Sequence, residues 1–222
     1  MTREEIARYI DHTNLNPKAS SLDIEHLCKE ALQYGFAAVC VNPCRVRQAA
    51  ELLEGRGVNV ASVIGFPFGA TLSEIKALET EHVIRDGANE IDMVINIGAL
   101  KDGNYEIVLR DISTVVKAGS GAIIKVILEC CYLTNEEKVL ACRLSAEAGA
   151  NFVKTSTGFG SGVATIEDVM LLQRNVPAHM GVKAAGGIRD FKTAYAFIEA
   201  GASRIGTSSG PQIVSSYSLA NH

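Results

Sequence analysis

Two lysines, Lys154 and Lys183, stand in short runs whose neighbours give their ammonium groups no ordinary place in solvent. In Phe152-Val153-Lys154-Thr155-Ser156 and Gly181-Val182-Lys183-Ala184-Ala185, strand alternation puts Val153 and Thr155, or Val182 and Ala184, on one face and the lysine on the other. The apolar face must pack against something, so each lysine points to the opposite, inner side. A lysine that is desolvated, or set beside another cation, loses its proton more readily, and the neutral amine attacks carbonyl carbon. Two such lysines suggest chemistry through an imine. The blander reading is a pair of strand lysines that reach solvent at a rim.

The elements that would carry them alternate. Ser20 and Asp23, Thr71 and Glu74, Thr134 and Glu137, and Thr165 and Asp168 have the spacing of capping boxes ahead of amphipathic runs. Ile24, Leu27, Cys28, Ala31 and Leu32 make one helical stripe, and Tyr105, Val108, Leu109, Ile112 and Val116 another. Between the helices lie apolar or alternating runs at 9–13, 36–41, 59–64, 90–96, 122–129, 151–156, 181–185 and 203–207. Strict alternation implies parallel strands joined by right-handed crossovers. Eight of them in 222 residues predict an α/β fold, a single (β/α)8 barrel of the TIM type over residues 1–222. An open doubly wound sheet is the alternative, but the first strand-to-helix turn has no G-x-G-x-x-G.

A repeat within the chain locates the chemistry. Gly35, Gly87, Gly149 and Gly201 each follow a helix end and precede a strand. Five residues on from each come Cys40, Asp92, Lys154 and Gly206. Alternate strands of a barrel supply the side chains of one interior layer, so these four belong together, with Gly206 leaving room for a ligand. The fifth strand turns Lys125 and Glu129 inward with Ile123 and Ile127, and Lys183 comes from the strand next to that of Lys154. Lys125, Lys154, Lys183 and Asp92 converging make a candidate active site, with Lys125 and Gly206 expected at the substrate. Cys40 in that layer is a candidate reactive thiol, because neighbouring lysines are expected to lower its pKa.

The loops after the seventh and eighth strands, Ala184-Ala185-Gly186-Gly187-Ile188 and Gly206-Thr207-Ser208-Ser209-Gly210-Pro211, suit a phosphate. Glycine lets backbone N–H groups approach, and Pro211 opens a short helix. A phosphorylated small molecule is therefore the expected substrate.

Composition narrows the field. A formal charge of -4 offers no basic field for nucleic acid or anionic lipid. No apolar run approaches bilayer-spanning length, and Met1-Thr2-Arg3-Glu4-Glu5 lacks the apolar stretch of a signal peptide, so a cytoplasmic protein without membrane or nucleic-acid partners is expected. Six cysteines without a CxxC and five scattered histidines suggest neither a metal site nor a cofactor.

Six segments together resemble the 2-deoxyribose-5-phosphate aldolases, imine-forming enzymes on a (β/α)8 barrel. They are Ile10-Asp11-His12-Thr13-Asn14-Leu15, Ile64-Gly65-Phe66-Pro67-Phe68-Gly69, Asn89-Glu90-Ile91-Asp92-Met93-Val94, Lys125-Val126-Ile127-Leu128-Glu129, Phe152-Val153-Lys154-Thr155-Ser156-Thr157-Gly158 and Val182-Lys183-Ala184-Ala185-Gly186-Gly187-Ile188-Arg189. The resemblance implies reversible cleavage of 2-deoxy-D-ribose 5-phosphate to acetaldehyde and D-glyceraldehyde 3-phosphate, with no cofactor. It implies that Lys154 forms the Schiff base, Lys183 tunes its pKa and Asp92 handles protons, while Asp11, Thr13, Thr157, Gly186, Gly187, Ser208 and Ser209 take substrate and phosphate. A homo-oligomer, dimer or tetramer, is expected with it. Phe159 stands where some relatives have a lysine, which shifts the phosphate onto backbone N–H groups and serines. Related imine-forming barrels with another phosphorylated sugar, and a noncatalytic phosphate-binding barrel, remain as alternatives. No role is carried over for Tyr217 or the tail after it.

Overall fold

Short β-branched runs separated by amphipathic helices close into a barrel in the computed structural model, which describes residues 1–217. The tail after Tyr217, residues 218–222, lies outside the described residues. The strands are β1 (Ile10–Asn14), β2 (Ala38–Val41), β3 (Asn59–Ile64), β4 (Glu90–Val94), β5 (Ile123–Ile127), β6 (Phe152–Lys154), β7 (Gly181–Ala185) and β8 (Arg204–Thr207). Each pairs in parallel with the next, and β8 returns to β1 through Asp11 opposite Gly206. This is the (β/α)8 barrel expected from the alternation. Its helices are α1 (Arg3–Ala7), α2 (Ser21–Tyr34), α3 (Val46–Leu53), α4 (Ser73–Arg85), α5 (Ile97–Lys101), α6 (Tyr105–Ala118), α7 (Asn135–Glu147), α8 (Ile166–Asn175), α9 (Phe191–Glu199) and α10 (Gly210–Ser215).

The repeated glycines all sit at positive φ, Gly35 at 70°, Gly87 at 106°, Gly149 at 85° and Gly201 at 108°, so each turns the chain from helix into strand as a left-handed cap does. Ser20 and Thr134 form full capping boxes with Asp23 and Glu137, and Thr165 accepts from the Asp168 amide. Thr71 does not cap: α4 begins at Ser73, with Leu72 as a cap that offers no side-chain acceptor. A box the periodicity missed, Thr2 with Glu5, opens α1. The fourth strand ends at Val94 rather than at 96, because Asn96 turns its side chain to the Ala99 amide and starts α5.

Most of the apolar core lies between the barrel and its helices, where Ile91, Met93 and Ile95 of the β4 region pack with Ile112 and Val115 of α6. A smaller apolar group inside the barrel holds Leu15, Cys40, Ala61 and Val63, with Phe66 against it. The helical stripe of α6 is not purely apolar: Asp111 is buried beside Val108, Ile112 and Val115. Lys76 of α4 meets it at 2.6 Å and also donates to the Val94 carbonyl at 2.8 Å, while Ser73 Oγ donates to Asp111 at 3.0 Å. Burial pushes the Lys76 pKa down and the Asp111 pKa up, so desolvation outweighs the pairing on both sides. We expect Lys76→Met or Asp111→Leu alone to cost about 3–5 kcal/mol, because each strands a buried charge, and the double substitution to restore most of that loss. Urea unfolding of the three variants checks it.

Candidate active site

Strand register brings the three interior lysines to one carboxylate. Asp92 is opposite Lys125 across β4 and β5, and Lys154 is opposite Lys183 across β6 and β7. Thr155 locks the second pair by accepting from the Ala185 amide at 3.1 Å and donating to the Ala185 carbonyl at 3.2 Å. Asp92 Oδ2 accepts from Lys154 Nζ at 2.8 Å and from Lys183 Nζ at 2.7 Å, and Oδ1 accepts from Lys125 Nζ at 2.7 Å. The sequence-derived layer is thus real around Asp92 and Lys154. Gly206 belongs to it as well, since a Cβ there would stand 3.0 Å from both Lys183 Cε and the Ala185 methyl.

The surroundings split the lysines. Side-chain exposure is 3% for Lys154 and 0% for Lys125 and Lys183. Burial pushes the Lys154 pKa below the ordinary lysine value; Asp92 opposes this, and the Lys183 ammonium adds to it. Burial acts on Lys183 too, but the carboxylates of Asp11 and Asp92 overcome it and hold that pKa above the ordinary value. Lys125 is likewise raised, by Asp92 and then Glu90 against its burial. Burial would raise the Asp92 carboxyl, yet Lys125, Lys154 and Lys183 together hold it well below the usual range. Of the three amines, Lys154 is the one most readily neutral.

A cavity of about 680 Å³ opens above this group at the C-terminal ends of the strands. Lys154, Thr13, Thr157, Gly186, Gly187, Gly206 and Ser208 line it, as the sequence suggested. Asp11, Asp92, Lys125 and Lys183 stand behind that lining, each with 0% exposure. Asp11 and Lys125, expected at the substrate, thus do not line the cavity. Their partners lie within the barrel: Asp11 Oδ2 is 2.5 Å from Lys183 Nζ, and Lys125 Nζ is 2.7 Å from Glu90 Oε2. Ser209 is the N-cap residue of α10, its amide donates to Thr207 Oγ1 at 2.9 Å, and it does not line the cavity.

Cys40 is placed as the layer argument required, but its chemistry is reversed. Burial is the largest influence on its thiol and Asp92 adds to it, so the pKa rises despite three nearby lysines. The thiol is fully buried and packed with Ala61 and Val63, and its raised pKa runs against the activation expected of it.

Several residues take roles that periodicity did not assign. Glu129, at φ 55° just past β5, holds the loop after β6: the Thr157 amide lies 3.3 Å from both its oxygens, and the Thr157 hydroxyl donates to it. Thr207 Oγ1 donates to the Ile188 carbonyl at 2.7 Å and ties the two glycine-bearing loops together. Phe159, an exposed wall of the cavity, packs edge-on against Phe66 at 5.3 Å. His12 Nε2 meets Glu30 at 2.8 Å on the far side of the cavity. Arg204 shares the inward phase of Gly206, two residues on, and that alternation was the signal for it.

The profile of DeoC/LacD family aldolases matches residues 6–216. The chain is 62% identical over 218 residues to the deoxyribose-phosphate aldolase of Thermococcus gammatolerans, covering 96% of this chain and 97% of that protein. It is 56% identical over 221 residues to the deoxyribose-phosphate aldolase of Aciduliprofundum boonei, covering 99% and 100%. Among solved structures, the tetrameric deoxyribose phosphate aldolase from Aeropyrum pernix superposes with a TM-score of 0.92 at 37% identity, covering 98% of this chain and 92% of that one.

Proposed function

The chain belongs to the DeoC/LacD family of aldolases, and we propose that it cleaves 2-deoxy-D-ribose 5-phosphate reversibly to acetaldehyde and D-glyceraldehyde 3-phosphate through a Schiff base on Lys154. The observation that carries this reading is that Lys154 alone of the three interior lysines both reaches the cavity and has a lowered pKa. Its neutral amine adds to the C1 aldehyde, and loss of water leaves a protonated imine. Electrons of the C2–C3 bond flow into that imine as the C3 hydroxyl gives up its proton, which yields an enamine and the aldehyde of glyceraldehyde 3-phosphate. Asp92, reached through water because it stands behind the lining, is the proton acceptor. The low basicity imposed by its three lysines lets it return the proton to C2. Hydrolysis of the resulting imine releases acetaldehyde and the free amine.

Gly186 and Gly187, at φ 100° and 81°, bring backbone close to the cavity beside Ser208, and this supports a phosphate held there. Six unpaired cysteines suit the reducing cytoplasm, and a place in deoxyribose phosphate catabolism follows from the proposed substrate. No helix among the described residues is long and apolar enough to cross a membrane. A homo-oligomer is supported by Phe68, Leu72, Ile75 and Leu78, exposed apolar side chains on and just before α4.

Borohydride reduction with acetaldehyde should add one two-carbon unit at Lys154, read by intact mass and peptide mapping; an adduct that persists in Lys154→Ala or maps to Lys183 rejects the assignment. Lys183→Leu should raise the pH midpoint of trapping, because it removes a cation beside Lys154 and leaves Asp92 to fewer partners. Trapping at neutral pH then slows about tenfold for each pH unit gained. Ser208→Asp should raise KM for the phosphorylated sugar about tenfold by placing like charge beside the phosphate, with little change for 2-deoxyribose itself. Equal losses for both sugars would put the phosphate elsewhere. In sedimentation, Ile75→Glu with Leu78→Glu should lower the assembled mass, and an unchanged mass would place the interface on another face.

A further inference from the structure

The ion pairs inside the barrel close on themselves. Asp92 Oδ1 lies 2.7 Å from Lys125 Nζ, and that Nζ lies 2.7 Å from Glu90 Oε2. Glu90 Oε2 is 2.8 Å from Arg204 Nη2, which is 2.5 Å from Asp11 Oδ1. Asp11 Oδ2 is 2.5 Å from Lys183 Nζ, and Lys183 Nζ returns to Asp92 Oδ2 at 2.7 Å. Cations and carboxylates alternate around this ring, so each member has an opposite charge on either side. Lys154 hangs outside the alternation, with one contact of 2.8 Å to an Asp92 oxygen that Lys183 already occupies.

We propose that Arg204 and Glu90, at the end of the barrel away from the cavity, are positioning residues for imine formation: they close the ring, and the closed ring leaves Lys154 as the interior amine without a carboxylate of its own. The inference rests on Lys154 being the imine-forming lysine. Neither Arg204 nor Glu90 lines the cavity, so neither can act by touching substrate.

A count of charges explains why residues so placed matter. Lys125, Lys154, Lys183 and Arg204 face Asp11, Glu90 and Asp92, four cations against three carboxylates. Among the described residues no further side chain joins this set by an ion pair: β2 presents the Cys40 thiol, β3 presents Asn59, which donates to Glu90 Oε1 at 2.7 Å, with Ala61 and Val63 beyond it, and the buried Glu129 past β5 is held by the Thr157 amide and hydroxyl rather than by a lysine. Within this ion-paired set one amine is therefore the unmatched one. If Arg204 were absent, Asp11 and Glu90 would draw on Lys183 and Lys125 alone, Asp92 would turn to Lys154, and the interior would balance. If Glu90 were neutral, the excess of positive charge would double. A merely structural ring would not distinguish these two changes by sign.

The test is acetaldehyde trapping with borohydride on the full chain across pH, mapped to Lys154, in the unsubstituted protein and in Arg204→Gln, Glu90→Gln and Arg204→Lys. Arg204→Gln should move the midpoint up and Glu90→Gln should move it down. Each should move by about one pH unit, as a unit charge roughly 10 Å away produces at an effective dielectric constant of about 20. Arg204→Lys, which keeps the charge, should retain the parent midpoint. Movement of both Gln variants in one direction, or of neither, overturns the proposal while leaving the Lys154 assignment intact. Failure to find any adduct at Lys154 in the unsubstituted protein removes the premise itself. Circular dichroism reports folding: if one Gln variant unfolds, the other still carries its sign. Unfolding of all three, the charge-preserving one included, makes the ring purely structural and overturns the inference.

Discussion

One carboxylate shared by three ammonium groups is the interaction on which this barrel depends. Asp92 offers two oxygens to Lys125, Lys154 and Lys183, so two of the lysines must divide a single oxygen. An equal division would leave the amines alike. The structure breaks the tie by giving Lys183 a second carboxylate, Asp11, and Lys125 a second carboxylate, Glu90, while Lys154 has Asp92 and the edge of the cavity. The nucleophilic character proposed for Lys154 is a consequence of that unequal supply. Its pKa falls chiefly because it is desolvated, and the carboxylate that would restore it is committed elsewhere.

Burying such a group is costly, since each ion gives up hydration that pairing returns only when the geometry is good. Two features of the fold make it possible. Strand register sets the partners at 2.5–2.8 Å without long, flexible loops between them. The outer core between strands and helices is almost wholly apolar, so folding is driven there and the interior is free to be polar. The buried pair of Lys76 and Asp111 lies outside the barrel, and there desolvation exceeds attraction on both sides, as it does at Lys154 but not at Asp92, Lys125 or Lys183.

Above the charged interior the cavity is shaped by side chains that hold loops rather than by groups that would react. Glu129 fixes the turn at Thr157, and Thr207 ties the β8 loop to the β7 loop through Ile188. Gly186 and Gly187 bring main chain into the lining, and Gly206 keeps the space beside Lys183 and Ala185 clear. Phe159 and Phe66 close one wall with an edge-on contact. Backbone and small residues thus face the region above Lys154, in keeping with a compact, polar substrate.

The sequence by itself determined the alternation of elements, the positive-φ glycines after four helices, and the phase that turns Asp92, Lys154, Lys183 and Lys125 inward, because period and chain direction are local properties of consecutive residues. It could also have placed Arg204, which shares its phase with Gly206. It did not show that Asp11 and Lys125 stand behind the cavity lining, that Ser209 is the N-cap of α10, or that the pKa of the Cys40 thiol is raised. The position of Asp11 and Lys125 has one physical origin. Phase says which way a side chain points, whereas depth along the barrel axis decides whether it meets the cavity or another charge, and depth follows from the stagger of eight strands. Electrostatics then adds what no local pattern holds: whether lysine cations or burial governs a thiol, and which of several amines keeps its proton, depend on all the charges and solvent within reach, and tertiary structure alone assembles them.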